Sequence, residues 1–231
     1  DAAQRIGHYD PEHVGDIQLF WRESLLMSER VFISDAMRDW LRRYIPTTQF
    51  LTYFVNRLES GGRMTPYSIV TATDDDVTSE LSDDEILLNQ WLADDLRVKP
   101  GDAVTLVFDV PGSGRSLVEQ SATFTVFDVL PMDQPVLDRR YMPSIPGLSD
   151  ADNCRDWNIG MDIDMDAIRD TDEQYWDEYG GTAKAIITYE AGRKLWANRF
   201  GSVTAIRDDR SPIYWGCGTS DEQPQTLLQI V

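Results

Sequence analysis

The spacing of apolar residues changes period several times along the chain, and each change predicts an element. In "SDAMRDWLRRYIP" the residues Met37, Trp40, Leu41 and Tyr44 recur at helical spacing. Ser34 suits the N-cap, Asp35 the first turn, and Pro46 stops the helix. Upstream, "DIQLFWRESLLMSER" sets Ile17, Phe20 and Trp21 at helical spacing and then loses the pattern, so no element is predicted over 1–30. Downstream, "QFLTYFVNRLESGGRMTPYSIVTAT" is dominated by aromatic and β-branched residues, with Gly61-Gly62 at its centre. Two strands and a turn are expected, with a helix as the alternative for the first half.

Further along, "TDDDVTSELSDDE" is an acidic loop without a basic residue, and "EILLN" is a short buried strand. Asn89 then caps a helix over "QWLADDLRV", stacking Leu92 on Leu96, and Pro100-Gly101 end it. "DAVTLVFDV" and "SATFTVFDVL" alternate as two strands joined by the turn-rich "PGSGRSLVEQ". Residues 131–160 are rich in Pro, Gly and Asp and read as irregular. Over 182–207 the pattern is strand, helix, strand: "AIITY", then Leu195 and Trp196 on a helix, then "VTAI". The last 24 residues are loop-like, and there is no internal repeat.

Composition narrows the picture. A chain of 231 residues suits one large domain or two modest lobes with a real core. Asp plus Glu is 40 against 21 Lys plus Arg, a net charge of −19. Such a surface repels a phosphate backbone and an anionic membrane face, so nucleic acid is not an expected partner. Only three of the basic residues are lysines, Lys99, Lys184 and Lys194. No run of about 18 apolar residues occurs, so no spanning helix is expected. The chain starts at Asp1 and stops at "LLQIV", which reads as a segment of something longer.

Five features invite a chemical reading. "MDIDMDAIRDTDEQYWDEY" sets Asp162, Asp164 and Asp166 at alternate positions, adds Asp170, and places Glu173 at the twelfth position of a calcium loop. Ala167 stands where that loop needs Gly, Arg169 where it favours an apolar residue, and no helical pattern precedes it. The alternative is an acid-started amphipathic helix carrying Met165, Ile168, Tyr175, Trp176 and Tyr179 on one stripe. In that reading Asp164 or Asp170 caps, Asp170 and Glu173 form a capping box, and Gly180-Gly181 end the helix. This helix is the expectation, so no metal ligand is assigned.

His8 and His13 are the only histidines, and "GSGRS" (112–116) lacks the G-K-[ST] of a phosphate loop and reads as a hairpin turn. Cys154 and Cys217 pair in an oxidising compartment, worth about 4 kcal/mol on the chain-entropy estimate, or remain two thiols in a reducing one. Trp157, Trp176, Trp196 and Trp215 pack in the core or, with paired carboxylates, serve a periplasmic carbohydrate-binding or carbohydrate-active module. No catalytic, cofactor-binding or metal residue is assigned from these.

"EILLNQWLADDLRVKPGDAVTLVF" and the closing "SATFTVFDVLP", together residues 85–131, resemble the extracytoplasmic core domain of MacB/FtsX-type ABC transporter permeases. "TPYSIVTAT" and the block from "PGLSDADNCRDW" to "GSVTAIR" resemble a large-domain subgroup, whose "GTPKAFV…A…LWGNRFG…TA-R" pattern is close to residues 181–207. The resemblance covers about residues 45–207 and rests on the order and spacing of structural motifs.

It implies an α+β mixed-sheet module with a porter-like βαβ lobe (1–75 plus 182–231) and a smaller inserted lobe (76–181). It implies a non-enzymatic domain without cofactor, on the periplasmic side of the inner membrane between the first two transmembrane helices. It implies a separate or fused ABC ATPase, a second permease copy, and a periplasmic partner or substrate. The acidic stretch 150–178 is expected to be a contact surface, with Asp164, Asp166, Asp170 and Asp172 on it.

Overall fold

The computed structural model describes residues 19–22, 24–112, 116–145, 147–149, 151, 153–157, 163–210 and 225–226. The first and last of these stretches, and residue 155, are described as backbone alone. The calls on His8, His13, Asp162, Trp215 and Cys217 lie outside these residues.

In chain order the elements are β1 (Leu19–Arg22), β2 (Leu25–Ser28), α1 (Asp35–Tyr44), β3 (Thr47–Ser60), β4 (Arg63–Thr73), β5 (Glu85–Asn89) and α2 (Gln90–Leu96). Then come β6 (Ala103–Pro111), β7 (Leu117–Leu130), α3 (Asp170–Tyr179), β8 (Ala185–Thr188), α4 (Tyr189–Trp196), β9 (Ala205–Asp208) and β10 (Gln225–Thr226). The strands form one sheet in the order β10-β1-β2-β9-β3-β4-β8-β5-β7-β6. Strand β6 also returns to β3, so β3-β4-β8-β5-β7-β6 close into a six-stranded barrel. The pairs β4–β8 and β5–β7 are parallel and the others antiparallel. The molecule is therefore α+β with a mixed sheet, as expected. The barrel takes strands from both expected lobes, so that division fits it only in part.

Strand β3 makes closure possible by changing partners along its length. Thr47–Phe50 pair with β9 and Arg57–Glu59 pair with β6. Where the two partners part, Tyr53 stacks on Trp196 of α4 with ring centroids 5.0 Å apart, and Phe108 meets both rings edge-on. The barrel interior holds Leu58, Val70, Ala72, Ile86, Leu106, Phe108, Phe124 and Ile187. Period-two alternation places them there: on β7, Phe124 and Val126 are buried while Thr123, Thr125 and Phe127 are exposed.

Local chemistry sets the element ends. Ser34 caps α1 by accepting from the Met37 N–H, and Asn89 caps α2 by accepting from the Leu92 N–H at 2.8 Å. Helix α2 ends earlier than the sequence suggests, at Arg97 in the left-handed conformation (φ 57°), three residues before Pro100. The "KPGD" corner follows, with Asp102 accepting from the Lys99 N–H and Gly101 at φ 93° donating to Val126 O. The helical spacing of Ile17, Phe20 and Trp21 does not produce a helix over 19–28. That stretch is the β1–β2 hairpin, and the buried Leu25–Ser28 strand is held against β9.

The connection 131–181 from β7 to β8 holds α3 and four 3-10 turns, and no strand among the described residues. Its apolar side chains make a small core of their own: Leu148, Cys154, Trp157 and Ile168 pack with Ile69 and Ala183, flanked by Phe54 and Tyr67. On β4, Ile69 faces this cluster while Val70 and Ala72 face the barrel interior. Among the described residues no helix is long and apolar enough to cross a membrane.

Candidate functional site

Charged and aromatic side chains meet where α3 packs on the barrel. Helix α3 begins with Asp170, Asp172 and Glu173 in its first turn, a pattern that opposes the helix dipole. Its cap is not an aspartate, as the sequence suggested, but Arg169. The Arg169 N–H donates to Asp172 Oδ2 at 3.0 Å, and the Asp172 N–H donates to Arg169 O at 2.9 Å. Asp170 is the exposed first residue of the helix, and Asp164 caps only the short turn before it.

The Arg169 guanidinium bridges two carboxylates. It donates to Asp172 through Nε and Nη2, both at 2.8 Å, and to Asp95 of α2 through Nη1 at 3.1 Å and Nη2 at 2.7 Å. Burial pushes the Asp95 carboxyl up, but hydrogen bonds from Arg169 and Thr65 outweigh it and hold it below its ordinary value. The hydrogen bonds to Asp172 raise Arg169.

Behind this pair lies Lys184, at the entry to β8. Its side chain is 5% exposed, and its Nζ sits 3.8 Å from Asp172 Oδ1. The ammonium also lies over the rings of Trp91 (4.4 Å) and Tyr175 (4.7 Å). Burial lowers its pKa to about 8, against the raising pull of Asp172. Tyr175 is raised by burial; its hydroxyl accepts from Asn89 Nδ2 and donates to Thr182 O, both at 3.0 Å.

Between α3 and strands β3 and β4 is a cavity of about 20 Å³, lined by Phe54, Tyr67, Trp157, Tyr175, Trp176 and Lys184. That is room for about one water molecule. Cys154 also borders it, with a buried, free thiol. Burial, reinforced by Glu173, pushes that thiol up to about 12, so it stays protonated at neutral pH. The arrangement stores paired charge and joins three segments of chain.

The described part of the acidic ladder, Asp164 to Glu173, is spread over a short turn and the first turn of α3. Among the described residues no group of three His, Cys, Asp or Glu side chains is placed to hold an ion. Glu173 Oε2 accepts the Cys154 N–H at 3.1 Å, while Asp164 and Asp166 are exposed in a turn. Asp172 does not belong to a surface at all, being 5% exposed and ion-paired.

The hairpin reading of 112–116 holds: Gly112 N–H donates to Ser116 O at 2.9 Å, and the flanking strands pair from Pro111↔Leu117. Trp157 and Trp196 are buried, and Trp176 is half-buried against Trp157 at 5.0 Å, so these rings pack rather than face solvent. The Asp95–Arg169–Asp172–Lys184 network was missed in the sequence. Its one visible signal is Lys184, a lone cation in the apolar run "TAKAIIT" of a chain with three lysines.

No protein-family model matches the chain, and no curated protein matches it. Among solved structures, one match is "a domain of a putative Permease protein from Porphyromonas gingivalis". It has 10% sequence identity and a TM-score of 0.36, covering 82% of this chain and 71% of the other. The two share too little geometry for one to inform the other.

Proposed function

We propose that this chain is the extracytoplasmic domain of an ABC transporter permease of the MacB/FtsX type, on the periplasmic side of the inner membrane. In this reading the domain is non-catalytic. It transmits ATP-driven motion or contacts a substrate or periplasmic partner, while an ABC ATPase, separate or fused, hydrolyses ATP and a second permease copy completes the assembly. The single domain spans 1–231.

One observation carries the reading: the residues behind the sequence resemblance are fold-building residues. "EILLN", "WLADDL", "KPGD", "VTLVF" and "FTVFDV" are β5, α2, the Asp102 corner, β6 and β7, one unbroken run of the barrel wall. In "AGRKLWANRFG", Gly192 lets α4 lie against Ala72, Trp196 stacks on Tyr53, and Gly201 passes against Ile33 O. Motifs that specify structure in a fixed order are what a resemblance between non-catalytic domains would preserve.

Sequencing the gene on both sides of this segment and fractionating cells that express the full protein tests the proposal. One transmembrane helix upstream, three downstream and co-purification of an ATPase are expected. A full chain with a secretion signal, no membrane helix and a place in the soluble fraction would overturn it.

A further inference from the structure

We infer that the described part of 147–179 is a cap that lifts off the barrel as one unit, latched by Arg169–Asp95 and Asp172–Lys184. The preceding turns stay with the barrel, since Val136 and Leu137 are buried against Leu87 and Ile186, and Tyr141 stacks on Phe50. Three observations converge on this. First, the cap owns a hydrophobic cluster separate from the barrel core: Leu148, Cys154, Trp157 and Ile168 touch the barrel side through Ile69, Ala183, Phe54 and Tyr67.

Second, among the described residues no backbone–backbone hydrogen bond joins 147–179 to a barrel strand. The links are made through side chains: Asp164 N–H to Tyr67 OH (2.7 Å), Tyr175 with Asn89, and the latch itself. The barrel strands, by contrast, are joined by continuous ladders. An element attached only through side chains opens at lower free energy than the ladder beneath it.

Third, the interface is not filled, since the cavity of about 20 Å³ lies between the two parts. Opening requires separating Arg169 from Asp95, which uncovers the stacked Phe54 and Tyr67 rings and the Lys184 ammonium. This inference stands without the permease reading, because it concerns only how two parts of one chain are joined.

Cys154 is a built-in reporter. Its thiol is buried within the cap cluster and reacts only when that cluster opens. The test measures labelling of Cys154 by a soluble disulfide reagent in a Cys217→Ser chain, alongside hydrogen exchange of the same protein. Cys154 should label at least about tenfold faster than global unfolding allows, and the α3 amides should exchange through the same opening.

Asp95→Asn should speed labelling by about tenfold or more and leave the slowest amides of β4 and β6 within about twofold. Asp166→Asn, an exposed cap residue away from the latch, should change neither. Labelling of Cys154 no faster than global unfolding, with α3 amides as protected as those of β4, would overturn the inference in the unmutated cap. So would equal acceleration of the cap and of β6 in Asp95→Asn.

Discussion

Lys184 and Asp172 face each other at 3.8 Å with both side chains 5% exposed, the most deeply buried pair of opposite charges among the described residues. Removing one partner strands the other. Asp172→Asn is expected to cost about 3–5 kcal/mol, and Lys184→Met with Asp172→Asn much less than the sum of the single changes. Urea denaturation of the two single variants and the double variant measures the coupling. Additive losses would mean that the two charges do not sense each other.

The same lysine gives the fold a pH dependence of known sign. Its folded pKa is about 8 against the ordinary 10.5, so above about pH 8 the unfolded chain binds a proton the folded chain has lost. Stability from this group therefore rises from pH 8 toward 10.5, by about 3 kcal/mol over the full window. Near the top of that range Tyr175, Tyr141 and Tyr53, whose pKa values are raised, pull the other way. Thermal melts from pH 7 to 9.5 should show the rise, and Lys184→Met should flatten it.

Asn89 caps α2 with its oxygen and supports Tyr175 with its nitrogen. Asn89→Ala should cost about 2–3 kcal/mol, the cap and the bond to the hydroxyl together. Tyr175→Phe removes the bond to Asn89 and the one its hydroxyl donates to Thr182 O, and should cost about 1–2 kcal/mol. An Asn89→Ala loss below about 1 kcal/mol in urea denaturation would mean that the cap contributes nothing.

Gly192 sits on α4 where a methyl group would come within 2.1 Å of Ala72 Cβ. Gly192→Ala should destabilise by about 1–3 kcal/mol despite the better helix propensity of alanine. Adding Ala72→Gly should recover part of the loss. The check is a four-corner comparison of melting temperatures, and the absence of rescue would place the strain elsewhere.

Much of the barrel wall was legible because its signals are local. Ser34, Asn89, Gly61-Gly62 and the alternation in "TFTVF" each specify geometry within a few residues, and the α1, β3–β4 and β5–α2–β6–β7 elements follow from them. Where long-range pairing decides, the local pattern misleads or falls silent. The stretch 19–28 has helical spacing upstream yet becomes a hairpin, because β9 offers it an edge. Asp172 looks like one of many surface acids, and only Arg169 and Lys184, brought together by the fold, take it inside. No spacing rule signals that β8 enters between β4 and β5.

That insertion sets an order of events during synthesis. Strands β4 and β5 are close in sequence, but β8 lies between them, with Val70–Thr73 and Ile86–Leu88 bonded to its two sides. Until residue 188 has left the ribosome, β4 and β5 each present an unpaired edge flanked by Val70, Ala72, Ile86 and Leu88. The nascent chain must hold this gap open from Asn89 to Thr188, about a hundred residues of translation. A chaperone that covers strand edges would therefore act on this protein early, and on the finished barrel not at all.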